Sequence, residues 1–212
     1  MKKTKPFFVI SRYSEDPSWV KDITDNYIIY NKGNELSPEF KQKLLPNFGG
    51  NQYDIFSFIH ENYNDLPELM IFVQGDPFDH CLKERFDMLI KNDSYTQLFG
   101  DVNYPDGEYD EPNNNWYIDP VQRDKNIKSS IGSFDEYAQM IFGDYTPLDR
   151  LKFPPGSQIL VEKDRCRFYS REFWEKLMSL IPKEIGLNGG VEAHIIERSI
   201  DLIFQNKYKE KI

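Results

Sequence analysis

Five apolar residues, Leu69 to Val73, run directly into Gln74-Gly75-Asp76-Pro77-Phe78-Asp79-His80. Asp76 and Asp79 are hard oxygen donors on a tight Gly-Asp-Pro turn. Hard divalent cations such as Mg2+ or Mn2+ are commonly held by one or two carboxylates together with substrate phosphates. Such an ion would let an acidic chain hold a diphosphate and would neutralise charge on a departing one. The plainer account makes Asp79 the N-cap of a following helix and Asp76 part of the turn. Two further strand ends carry comparable chemistry: Ser11-Arg12-Tyr13 with Glu15 and Asp16, and Asn31-Lys32-Gly33. Their coincidence points to a shared site, because ligands of open parallel sheets bind beyond the carboxyl ends of the strands, where strand order reverses.

Only a parallel sheet would bring these residues together, and the chain is patterned for one. Residues 6–13 read as a first strand, followed by Asp16 as an N-cap with Pro17 at the first helical position, and residues 26–30 as a second. Pro46-Asn47-Phe48-Gly49-Gly50 is a turn cluster that feeds a helix with Ile55, Phe56, Ile59 and Tyr63 at helical spacing. Amides of that turn, with Asn47 and Gly49, could face a phosphate or a sugar hydroxyl. The strand at 69–73 follows, then a helix over 78–90. This strand–helix alternation predicts an α/β fold with a mostly parallel central sheet flanked by helices, a Rossmann-type α/β/α sandwich.

Beyond it, residues 100–132 are rich in Asp, Asn, Pro and Tyr without any period, which predicts a mobile loop or lid. Ser133 caps a further helix, residues 158–161 read as a strand, and helices are expected over 171–181 and 191–204. In the last of these His194, Glu197, Arg198 and Asp201 form a polar stripe opposite Ile196, Ile200 and Ile203. Such stripes are usually solvent faces. Gly189-Gly190 nevertheless places Glu192 and His194 in the first turn, where either could enter a cleft as a base or a metal ligand.

Bulk properties limit the partners. A length of 212 residues suits one domain, and 39% hydrophobic and 15% aromatic content suits a globular chain. A net charge of −9 argues against nucleic acid or an anionic membrane surface as partner. Apolar runs are too short to span a bilayer and no secretory cleavage pattern follows Met1-Lys2-Lys3, so a cytoplasmic protein is expected. Cys81 and Cys166 form no CxxC motif and read as reduced thiols.

The order Arg12-Tyr13-x-Glu15-Asp16-x-x-Trp19, Tyr30-Asn31-Lys32-Gly33, Pro46-Asn47-x-Gly49 and Phe72-Val73-Gln74-Gly75-x-Pro77-Phe78-Asp79-His80 resembles a microbial and fungal family catalogued as a domain of unknown function. Phe153-Pro154-Pro155-Gly156-Ser157-Gln158 and Phe173-Trp174 continue the pattern, as do Glu197-Arg198 and Ile203-Phe204. The layout is also similar to GT-A fold nucleotide-sugar transferases, in which an Asn-x-Gly turn and a helix lead to a strand ending in an acidic metal motif. That resemblance implies a glycosyltransferase using a nucleoside diphosphate sugar, UDP-linked by expectation, with Mn2+ or Mg2+ and a glycan or glycoprotein acceptor. It implies a single domain in which residues 1–99 bind the donor, 100–132 close over it and 133–212 form the acceptor side. Arg12, Tyr13, Lys32, Asn47, Gly49, Gln74 and Gly75 would surround the nucleotide and donor. Asp76, Asp79 and His194 would hold the metal, and Gly156, Ser157 and Gln158 would face the sugar or acceptor. Gln74 stands where the first acid of the motif is expected, a departure. Glu192, Asp144 and Asp149 are candidate bases because they flank the presumed acceptor side. Relatives of this kind also occur in large DNA viruses, for which the host cytoplasm would be the location. A metal-dependent phosphoesterase and a non-catalytic sugar-binding module are the alternatives.

Overall fold

Strands with apolar side chains on both faces need cover on both faces, and this sheet has it. The computed structural model describes residues 5–100, 108–110, 115–118, 132–181 and 190–211, with backbone alone at 108–110, 115–116, 118 and 190–194. The strands are β1 (Phe7–Arg12), β2 (Tyr27–Asn31), β3 (Gln42–Leu44), β4 (Leu69–Gln74), β5 (Thr96–Gln97), β6 (Glu108–Asp110), β7 (Asn115–Ile118), β8 (Leu151–Lys152) and β9 (Ile159–Glu162). The α-helices are α1 (Gly50–Glu61), α2 (Lys83–Leu89), α3 (Phe134–Ile141), α4 (Lys163–Cys166), α5 (Arg171–Ser179) and α6 (Gly190–Phe204). A six-stranded sheet has the order β3-β2-β1-β4-β9-β5, in which β1 to β4 are parallel and β9 runs antiparallel to both its neighbours. The fold is therefore mixed α/β with a mostly parallel sheet.

Alternation along the strands divides the core. Val9, Met70 and Phe72 point to one face, where they pack with Ile55, Phe56 and Ile59 of α1, Tyr137 of α3, Trp174 of α5 and Ile196 of α6. Phe8, Ile10, Ile71 and Val73 point to the other, onto Val20 of a 3-10 helix, Pro17–Asp22, and Phe86 of α2. Local signals placed two caps correctly. Asp16 accepts from the Ser18 amide with Pro17 at the helix start, and Ser133 and Glu136 form a capping box on α3. Asp79, by contrast, is not the N-cap considered for it: Asp76 caps a 3-10 turn and Leu82 precedes the following helix.

The helix expected after Asp16 is present, as a 3-10 helix. Two expectations change. The expected helix over 78–90 begins only at Lys83, behind a separate 3-10 turn, Pro77–Asp79. The aperiodic stretch at 100–132 is not structureless, since β6 and β7 pair with β8 into a second, three-stranded sheet. Strands of two to four residues are too short to display an alternation, and β8 lies far along the chain. Apart from β6 and β7, Gly100 and Gly132, that stretch and its expected mobility lie outside the described residues. Among the described residues no helix is long and apolar enough to cross a membrane, and both cysteines are free thiols in the core.

Candidate functional site

Strand order reverses at β1: β2 and β3 lie on one side of it and β4 on the other. Ser11 at the end of β1 stands opposite Gln74 at the end of β4, and Arg12 stands opposite Asn31 at the end of β2. All three polar strand ends thus meet at the switch point. Two of them interlock. The Lys32 amide donates to the Arg12 carbonyl at 2.8 Å, and Gly33 lies so close to the Tyr13 carbonyl that no Cβ would fit between them.

The cations expected to line a nucleotide pocket are turned inward. Arg12 is buried; its Nη1 donates to Asn31 Oδ1 at 2.7 Å and to the Asn34 carbonyl at 3.0 Å, and its Nε donates to the Glu15 carbonyl at 2.7 Å. Lys32 Nζ donates to the Gly50 carbonyl and lies 3.0 Å from Asp54 Oδ1, with the lysine side chain 6% exposed and the carboxylate fully buried. A charge taken out of water must be paired, and these pairings tie the strand-end loops together. Tyr13, by contrast, is exposed. Asp54 escaped notice in the sequence because it sits among the apolar residues of α1. Burial pushes its carboxyl up to about 6, against the opposing pull of Lys32 and the Ser11 hydroxyl. Neither carboxylate oxygen receives a well-aligned hydrogen bond.

The amino end of α1 meets the turn before β9. Gly49 is the left-handed N-cap, with no side-chain cap on the helix. Asn51 Nδ2 donates to the Gly156 carbonyl, and Gln52 Nε2 donates to Ser157 Oγ at 3.0 Å. From α6, Glu197 accepts the Gly156 amide at 2.7 Å. Gly156 and Ser157 are both left-handed, at φ 70° and 52°. A Cβ at Gly156 would come within 2.6 Å of His80 Cδ2 and 3.3 Å of Gln74 Nε2. Gly156, Ser157 and Gln158 therefore do not face outward as expected. They are buried, Ser157 and Gln158 at 1% and 0% exposure, and Gln158 Nε2 donates to the Pro77 carbonyl at 3.1 Å. Around this buried turn stand the half-buried side chains of Asn51, Gln74, His80 and Glu197.

Asp76 and Asp79 lie on the 3-10 turn just beyond β4. Asp76 caps that turn, its Oδ1 accepting the Phe78 amide at 2.9 Å, and Asp79 is exposed. The turn is anchored by Trp19, whose Nε1 donates to the Gly75 carbonyl at 2.7 Å and whose ring packs edge-on to Phe78 and Phe86. Glu15 lies against Gly75 and accepts the Tyr13 and Ser14 amides at 2.7 and 2.9 Å. Asp76 and Asp79 can supply the one or two carboxylates that a Mg2+ or Mn2+ ion shares with a diphosphate. Among the described residues no group of three or more His, Cys, Asp or Glu side chains is placed to hold a metal.

The remaining candidates are dispersed. Asp144 Oδ1 accepts the Lys209 amide at 2.8 Å, so this carboxylate fastens the carboxy-terminal tail. Asp149 is exposed near β8, and Asn47 is half-buried ahead of α1. The side chains of Glu192 and His194 lie outside the described residues. The polar stripe of α6 is not a solvent face: Asp201 is 1% exposed and accepts from Tyr95 Oη at 2.8 Å, from Gln97 Nε2 at 2.9 Å and from Gln205. Of the residues that sequence reasoning passed over, Asn51 and Gln52 were signalled only by their place in the first turn of α1. Glu197 lay on the stripe but was assigned no part in the site.

Residues 8–211 match the family described as "Protein of unknown function (DUF3431)", and the chain belongs to it. No curated protein and no solved structure matches the chain.

Proposed function

We propose that this chain is a glycosyltransferase, moving a sugar from a nucleoside diphosphate sugar, with UDP the expected nucleotide, to a hydroxyl of a glycan or glycoprotein. The observation that carries the reading is the meeting of three polar strand ends at the switch point of a mostly parallel sheet, the place where such sheets take their ligands. Local charge sets the terms. Arg12 and Lys32 are engaged by protein partners, while Glu15 lies against Gly75 and Asp76 and Asp79 follow it in the chain. A diphosphate arriving alone would meet acids, so it would come with Mn2+ or Mg2+ held by Asp76 and Asp79. When bound, such an ion neutralises the charge that develops on the leaving diphosphate.

In this reaction the acceptor oxygen bonds to the anomeric carbon as the bond from that carbon to the diphosphate oxygen breaks. The acceptor's proton passes to a carboxylate or imidazole base. Glu192, Asp144 and Asp149 are the candidate bases; of these, Asp144 already accepts the Lys209 amide. In the finer reading the fold is a single GT-A-like domain with a donor-binding and an acceptor-side half; the closing role expected of residues 100–132 falls mostly outside the described residues.

Gln74, in place of an expected acid, favours a second reading: a module that binds sugar without turnover. Incubation with a panel of UDP-sugars separates the readings. Release of UDP that requires Mn2+ and is accelerated by a mixture of oligosaccharide acceptors is the expected result. Binding without release would favour the module. Hydrolysis of phosphomonoesters with no nucleotide affinity would favour a phosphoesterase.

A further inference from the structure

Four polar side chains from four different elements surround Gly156: Asn51 from the first turn of α1, Gln74 from the end of β4, His80 from the segment after the 3-10 turn and Glu197 from α6. All four are half-buried. Two are aimed by the same residue, since Asn51 donates to the Gly156 carbonyl while Glu197 accepts the Gly156 amide. Beneath them the backbone is held against its preference. Ser157 is a buried non-glycine residue in the left-handed region, at φ 52°, fastened through its hydroxyl to Gln52. Left-handed backbone at a residue with a Cβ is disfavoured, and such strain persists where surrounding contacts over-determine it, as at active sites and ligand clamps.

The chemistry of the ring selects its ligand. Two carboxamides, an imidazole and a carboxylate can donate to and accept from neutral hydroxyl groups. The carboxylate of Glu197 would repel a phosphate. We propose that Asn51, Gln74, His80 and Glu197 form the subsite that takes the hydroxyl groups of the donor's sugar, with the Gly156–Ser157 turn as its rigid base. The diphosphate lies toward Asp76, two residues beyond Gln74. This assignment rests on the transferase reading and adds to it where the sugar is recognised, by which residues, and without a cation.

Calorimetry in Mn2+ with UDP, UDP-glucose, UDP-galactose and UDP-N-acetylglucosamine tests it on the wild-type chain and on Glu197→Ala and Asn51→Ala. Circular dichroism confirms that each variant is folded, and either variant suffices if the other is not. The expected result is that at least one UDP-sugar binds wild type more tightly than UDP does. Each variant loses that advantage, by at least about fivefold for the loss of one hydrogen bond, while its affinity for UDP stays within about twofold of wild type. An advantage that survives in a folded variant overturns the subsite, as does an equal loss of UDP affinity or the lack of any advantage in wild type. No binding of UDP to wild type overturns UDP-sugars as the donors of the proposed transferase, and the sugar assignment with them.

Discussion

At Gly156 a Cβ would approach His80 Cδ2 to 2.6 Å, on a backbone already at φ 70°. Gly156→Ala should therefore lower unfolding stability by at least about 2 kcal/mol, read from urea denaturation, by combining a left-handed alanine with a steric clash. Asp54 gives a second test at this scale. Its carboxyl is raised from 3.8 to about 6, chiefly by burial and against the pull of Lys32. An acid whose pKa is higher folded than unfolded binds more protons in the native state. Its contribution to stability is thus fullest below about pH 4 and declines as pH rises through about 6, by at most about 3 kcal/mol. Urea midpoints measured across this window should show that decline, and Asp54→Asn should remove it; an unchanged slope in the variant would assign the decline to other groups. Neither residue's role was legible in the sequence. Gly156 was read as part of an outward-facing surface, and its close neighbours come from β4, α1 and α6, which no local pattern links.

Helix α6 shows what periodicity conveys and what it leaves out. Its existence and extent, Gly190–Phe204, followed from helical spacing, and its apolar side was read correctly. Its polar stripe was read as a solvent face, yet Asp201 sits within reach of Tyr95, Gln97 and Gln205, with Lys152 Nζ 3.7 Å away. Gln97 and Lys152 belong to the two-residue strands β5 and β8, too short to announce themselves by alternation. Burial raises the Asp201 carboxyl above the ordinary range despite Lys152 and three hydrogen-bond donors. Asp201→Ala would leave those donors without their acceptor and should cost about 2–4 kcal/mol in urea unfolding. Asp201 thus ties α6 to Gln97 of β5 and lies near Lys152 of β8, one turn beyond Glu197, which accepts the Gly156 amide. A variant as stable as wild type would show that α6 is anchored by its apolar side alone.

Across the whole molecule, β1, β2 and β4 were legible because each is a run of apolar residues ending in a polar turn. The parallel edge strand β3, Gln42–Leu44, was not, being short and polar; the meeting of the three ends follows from parallel pairing. The reversed strand β9 was legible as a strand but not in direction, since direction depends on its pairing with β4 and β5. Net charge is −9, and the strand-end cations Arg12 and Lys32 are occupied by Asn31, Asp54 and the carbonyls of Glu15, Asn34 and Gly50. Under the proposed function, a diphosphate beside Asp76 and Asp79 would be accompanied by a cation that offsets those carboxylates. Titration of the chain with UDP by calorimetry, with and without Mn2+, on wild type and Asp76→Asn, tests that claim most directly. The account predicts binding that needs Mn2+ and weakens at least about tenfold, or about 1.4 kcal/mol, in the variant. Absence of UDP binding under both conditions, or binding indifferent to both Mn2+ and Asp76, would contradict it.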